Sequence, residues 1–344
     1  MKRFQLILLF SALGLLLVGG IFAVAGFAMN GFRLDNFSTT HYQPFHWEDN
    51  SGTGIEKLRI LVTTDKVTLC IVQDAGFIVS GETEEKQPLT VTMEDGVLTV
   101  RREDHRRWYD HIDIFTKAPE LTVYLPQSII PTLEIDVDTG DVSVPEGFHF
   151  GEALIESDTG DVTWGASAGH LKIESDTGDI QVKNAKIQER MQISTDTGDL
   201  RIQSLTAVAL SIETDTGEIA LKQTTVATTL AIETDTGDVT LTEVTSATMQ
   251  IKTSTGDVGL ERVDSENLQI RTSTGDVGLE RVGSENLQIH TSTGDVEGTL
   301  AREMQFDADS NTGHVRVPTS QGSAICTVRS STGDIRLRVE TTPE

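Results

Sequence analysis

Six Asp-Thr-Gly triplets begin at Asp138, Asp158, Asp176, Asp196, Asp215 and Asp235. This is the triplet aspartic proteases use, and that chemistry needs two carboxylates face to face sharing one proton. Six equivalent copies at a fixed interval give a ladder, not a pair, so the triplet reads as a turn. A second candidate is the acid that follows the glycine. Asp141, Asp161, Asp179, Asp199, Asp238, Asp257 and Asp276 are followed in the same role by Asp295 and Asp334, with Glu218 and His314 as substitutes. Stacked carboxylates of this kind could hold Ca2+, because hard cations take several oxygen ligands. The competing reading is a solvated acidic edge, where repulsion between neighbours about 5 Å apart is only ~0.8 kcal/mol and is screened by salt. The chain lacks the glycine-rich nonapeptide of calcium-binding β-rolls, and no other cofactor is implied.

A third candidate is the basic and aromatic run from Arg101 to Tyr109. Its partner-binding residues would be Arg101, Arg102, Arg106, Arg107, Trp108 and Tyr109, facing an anionic envelope polymer or lipid headgroups. The alternative is a solvated hairpin arm. A formal net charge of −26 argues against nucleic acid, which requires basic surface. The eight histidines form no metal-binding spacing, and no nucleophile–base arrangement or phosphate loop is present. No catalytic residue is assigned, and a non-enzymatic protein is expected.

The element that must position these residues is a repeat. Its glycines are Gly140, Gly160, Gly178, Gly198, Gly217, Gly237, Gly256, Gly275, Gly294, Gly313 and Gly333, each preceded by threonine and spaced 18 to 20 residues apart. Seven and five residues before the glycine the chain is mostly apolar, as at Leu210 and Ile212. Two and four after it the chain is apolar again, as at Leu200 and Ile202. That alternation specifies half-buried strands. The fold class is therefore all-β: a β-solenoid, a single-chain β-helix of about 11 coils of 19–20 residues, with right-handed winding expected. Each coil reads as strand, tight corner, strand and return loop. Burying four apolar side chains yields roughly 6–12 kcal/mol, while ordering ~19 residues costs about 1–2 kcal/mol each. Only a stacked array can be stable, and at ~4.8 Å per coil it forms a rod roughly 50 Å long. The near-identical units 256–274 and 275–293 fit adjacent, equivalent coils. Asp, Asn or Ser two residues before the glycine supplies an acceptor for a backbone N–H two residues on.

Residues 1–29 hold an uncharged apolar run from position 4 onward, behind Lys2 and Arg3. Its length suits a transmembrane helix, with the basic residues cytoplasmic. A signal anchor is expected, with cleavage after Ala23-Val24-Ala25 as the alternative. Residues 30–56 read as an extracellular stalk, 57–130 as a β-rich N-terminal cap that also contributes irregular coils, and 131–344 as the solenoid repeat domain. Arg329, Arg336, Arg338, Glu340 and Pro343 are expected to guard the last strand against edge pairing. Cys70 and Cys326 are too far apart in a solenoid for a disulfide and read as buried thiols. Trp164 falls on an inward position and reads as core.

A single N-terminal span leading into Asn30-Gly31-Phe32, then Leu121-Thr-Val-Tyr-Leu-Pro126 and a run of Ser/Asp-Thr-Gly-Asp-Val repeats, resembles the bacterial putative-adhesin family. The similarity covers most of residues 30–344. Membership implies a membrane-anchored β-strand repeat protein of Gram-positive bacteria, found near envelope-stress genes, with no catalytic residues to carry over. The expectation is a non-enzymatic cell-surface β-solenoid, single-pass in the cell membrane with its C-terminal domain extracellular. It would touch an envelope polymer, lipid or surface protein. The alternative is an envelope-stress sensor that binds lipid or peptide through the cap.

Overall fold

The structure is a computed structural model that describes residues 42–51, 54–73, 76–105, 118–127, 129–319 and 322–340. The expected membrane helix over 1–29 lies outside the described residues. Among the described residues no helix is long and apolar enough to cross a membrane. The described chain forms twenty-six strands joined in one sheet system, a β-solenoid of about ten turns.

Each coil aligns with its neighbours in parallel register, so that equivalent residues stack. Ile212 pairs with Ile193 on one side and Ile232 on the other, and Thr214 lies between Thr195 and Thr234. The core is a set of such columns. In the coil that follows Gly198 the buried row is Leu200, Ile202, Leu205, Ala207, Leu210, Ile212 and Thr214. Alternation predicts the first two and the last three. Leu205 and Ala207 belong to the segment expected as a return loop. That segment is itself extended and paired, as in the unbroken strands Ile219–Thr236 and Val239–Thr255. A register shift between Ala207 and Ala209 bends the path, as bulges do. A second corner lies six residues after the glycine, where Asn184, Ser204, Gln223, Glu243, Arg262 and Arg281 take φ of 51–58°.

Both ends depart from sequential stacking. At the C-terminal end the strands Ala324–Thr332 and Ile335–Val339 slot between Val277–Thr293/Val296–Leu300 and Met304–Thr312/Val315–Arg316. The last coil in sequence is thus the penultimate one in space. Arg329 and Arg336, expected to guard the final edge, lie one layer inside it, and the outer edge carries Asp307, Asp309 and His314 instead. The N-terminal end mirrors this order. Lys57–Val62 and Lys66–Val72 lie between Val97–Arg102/Glu120–Pro126 and Ile129–Thr139/Val142–Val144. The residues expected as a cap therefore supply two full layers of the solenoid. Antiparallel strands close that end: Leu89–Glu94 on Val97–Arg102, and Phe77–Thr83 on Glu120–Pro126. Gln43–Asp49 pairs with Phe77–Thr83, so part of the segment expected as an irregular stalk is an edge strand. Its alternating Phe45 and Trp47 pack against the core.

Trp164 is fully buried, donates its indole N–H to the Ala166 carbonyl at 2.8 Å and packs on Phe150 with ring centroids 5.7 Å apart. Cys326 is buried and its thiol is pushed up to about 12 by desolvation. Cys70 faces outward on its strand and is half-buried, contrary to expectation, because Leu69 takes the inward position beside it.

Candidate functional site

The glycine corner is the densest concentration of repeated polar residues, and its hydrogen bonds account for them. A buried backbone group left without a partner is costly, so each must be assigned. The glycine N–H donates to the threonine carbonyl of the next coil, as Gly198 does to Thr216 at 3.0 Å. The apolar residue two places on donates to the next coil's post-glycine carbonyl, as Leu200 does to Glu218 at 2.8 Å. The post-glycine N–H points the other way, toward the preceding coil, and there it meets a carboxylate. Asp179 N–H reaches Asp161 Oδ1 at 2.9 Å, Asp199 reaches Asp179 at 3.0 Å, and Asp276 reaches Asp257 at 2.7 Å. The pattern runs from Asp141 to the end of the rod with one break, at Asp238 N–H.

These carboxylates are therefore acceptors in an intercoil ladder, which explains the residue type without a cation. The candidates Asp141, Asp161, Asp179, Asp199, Asp238, Asp257 and Asp276 all stand in it. Among the described residues no group of three or more His, Cys, Asp or Glu is placed to hold a metal ion. The substitutes also make sense. His314 occupies the outermost layer, where its own N–H reaches Asp334 Oδ1 at 2.8 Å and, among the described residues, no further coil follows. Asp334 is held below the usual carboxylate range by that N–H. Glu218 is one methylene longer, and no bond from Asp238 N–H to it forms.

The remaining corner group is the glycine carbonyl, and a buried hydroxyl three residues before the next glycine faces it. Ser310 donates to Gly333 O at 2.7 Å, while Thr253, Thr272, Ser330 and Thr291 approach their glycine carbonyls at 3.4–3.5 Å. In the N-terminal coils the same hydroxyls, Ser157, Ser175, Thr195, Thr214 and Thr234, are buried without a partner. Glycine itself is required twice over. Gly198 has φ of 153°, and a Cβ there would overlap the carbonyl of Gly178. The expected bond from the Asp, Asn or Ser two places before the glycine is not the one that forms, because the neighbouring coil takes that N–H. These side chains face solvent instead.

The basic cluster divides. Arg106, Arg107, Trp108 and Tyr109 lie outside the described residues. Arg101 is exposed on an outer strand. Arg102 is fully buried and cannot meet a partner. Its guanidinium grips Asp65 with two bonds of 2.6 Å and also donates to the carbonyls of Gln87 at 2.8 Å and Glu82 at 2.6 Å. Burial pushes the Asp65 carboxyl up, and Arg102 pulls it back. Asp65 stands where a repeat glycine would stand, directly against Gly140, so this pair replaces the corner chemistry at the N-terminal end. Nothing in the spacing of Asp65 and Arg102 marks them in the sequence.

With the columns, corners and ladder defined, the chain can be compared with known proteins. A family model described as Toastrack DUF4097 matches residues 55–243 and 209–344. The chain belongs to this family. Solved structures similar to this chain include a putative adhesin of Parabacteroides distasonis, 10% identical with a TM-score of 0.42, covering 86% of this chain and 97% of the other. A putative adhesin of Bacteroides fragilis is 13% identical, with a TM-score of 0.31 and the same coverages. A putative lipid binding protein of Parabacteroides distasonis is 12% identical, with a TM-score of 0.34 over 86% and 97% of the two chains. No curated protein matches this chain. The expected family of β-strand repeats is met by the Toastrack DUF4097 match.

Proposed function

We propose that this Toastrack protein is a non-enzymatic surface rod, held outside the membrane by its N-terminal apolar segment and presenting long strand faces to the cell envelope or to another surface. The observation that carries this reading is the accounting at the corner. The residues repeated from coil to coil are taken up inside the stack, the glycine and post-glycine acid in coil-to-coil contacts and the hydroxyl in burial. What is left to vary is the outward face. A rod of this kind sets distance and presents a regular array of side chains.

The test is co-sedimentation of residues 41–344 with isolated cell envelopes, using the wild type and a variant in which Arg101, Arg106 and Arg107 are changed to Glu. Arg102 is left in place because it is structural. Binding that survives the substitutions supports the rod faces as the contact surface. Binding lost with them moves the function to the N-terminal end and favours a lipid- or peptide-binding sensor. No binding by either protein sinks direct envelope contact.

A further inference from the structure

The face formed by the strand ahead of each glycine carries an asymmetry that coil stacking does not require. Four residues before the glycine, in continuous register, stand Glu156, Glu174, Ser194, Glu213 and Glu233. The same column then continues as Lys252, Arg271, His290 and Arg329. Over these nine layers the sign changes once, between Glu233 and Lys252; beyond them the column continues to Asp136 at one end and to Asp309, beside Arg329, in the outermost layer at the other. The outward column two residues before the glycine changes at the same layer, from Asp235 to Ser254. Lys252 pairs with Glu233 across that boundary, and Arg329 pairs with Asp307. Among the described residues Arg271 and Glu213 have no ion-pair partner. The column between core positions on this face is uncharged there: Ser211, Ala231, Gln250, Gln269 and Gln288.

We infer that this face is a self-complementary interface for a second copy of the chain, packed antiparallel. A two-fold axis along the strand direction, between the Glu233 and Lys252 layers, brings the two columns together in opposite order. Lys252 then faces Glu233 of the second copy, Arg271 faces Glu213, His290 faces Ser194 and Arg329 faces Glu174. Beside them Gln250 meets Ala231 and Gln269 meets Ser211, so across these eight layers no like charges oppose, and only the rim layer sets Asp309 on Glu156. The same faces packed in parallel would set Glu on Glu and Arg on Arg, which suppresses that arrangement. Eight layers at ~4.8 Å and seven residues at ~3.3 Å give a flat area near 900 Å² on each copy, about that of a standard stable interface. On the proposed surface display, which this consequence rests on, the two anchors leave at opposite ends. The pair would then bridge two facing surfaces.

The experiment is sedimentation velocity of the full-length chain in detergent micelles at about 10 µM, a concentration that populates a micromolar dimer, in low and high salt. The wild type should dimerise at low salt and dissociate as salt screens the pairs. One variant carries Arg271→Glu with Arg329→Glu, and a second carries Glu213→Arg with Glu174→Arg. Each alone should weaken dimerisation at least about tenfold. Mixed one to one they should restore it, because every opposed pair is again of opposite sign. Misfolding cannot produce that restoration. A monomeric wild type, or a first variant that dimerises as well as wild type, overturns the interface. Vesicles bearing the full-length chain should cluster in low salt. A dimer without clustering keeps the interface and removes the bridging, whereas envelope binding by a monomer keeps the proposed function and removes the interface.

Discussion

Asp199 does at residue scale what every post-glycine acid in the ladder does. Its Oδ1 accepts the N–H of Glu218 one coil on, a donor that otherwise lacks a protein partner. A net hydrogen bond of this kind is worth about 0.5–1.5 kcal/mol, and the exposure of the edge keeps it from being worth more. We expect Asp257→Ala to lower stability by about that amount in urea unfolding. Glu218→Asp should raise it by a similar step, by supplying the missing rung to Asp238. His314→Ala should leave it nearly unchanged, since its side chain is exposed and among the described residues no coil lies beyond. The same melts should not respond to chelator or to added calcium. A loss at His314 as large as at Asp257 would show that the acids act through something other than the intercoil bond. The triplet and the acid were legible in the sequence as a turn and an edge. Their role as acceptors was not, because it depends on which way an N–H points between two coils 18 to 20 residues apart.

At the scale of elements, the two ends differ in how they stop the stack. The N-terminal end is covered by antiparallel strands and locked by Arg102 on Asp65, both fully buried. Removing one member of such a pair strands a buried charge and typically costs about 3–5 kcal/mol. Arg102→Met is therefore expected to destabilise the N-terminal layers by that order. Asp65→Leu combined with Arg102→Met should recover a large part of the loss. Hydrogen exchange over 57–102 reads both, and a double variant as unstable as the single would argue that the carbonyls of Glu82 and Gln87 dominate instead. The strands themselves were legible from alternation. Their order was not, because the strand Lys57–Val62 and the strand Ala324–Thr332 each look locally like any other layer. Only the three-dimensional closure puts them one place inward. The basic run was legible as a cluster, yet Arg102 alternates inward on its strand, so burial divides the cluster.

The whole molecule is a one-dimensional stack whose layers interact with their neighbours. Deleting residues 276–294, one complete unit of 19, joins Gly275 to Asp295 and should leave a solenoid one layer shorter. Its circular dichroism per residue should be unchanged and its melting temperature only slightly lower. Deleting 18 residues from the same place shifts every inward position by one, which turns core side chains to solvent, and should abolish cooperative unfolding. Equal tolerance of both deletions would mean that register does not hold the rod together. The charge boundary between Glu233 and Lys252 also belongs to this scale, since it becomes visible only when four-before-glycine residues from nine coils are placed in one column.

The sequence by itself determined the all-β repeat, its period, the glycine corner and most of the core. These follow from periodic spacing within a coil, where burial and backbone sterics act on neighbouring residues. The tertiary structure alone decided the coil order at the two ends, the acceptor role of the acids, the burial of Arg102 and the alignment of charges along one face. Each of these is a relation between coils, and the energy that fixes it lies in hydrogen bonds, ion pairs and contacts across layers that local sequence does not encode.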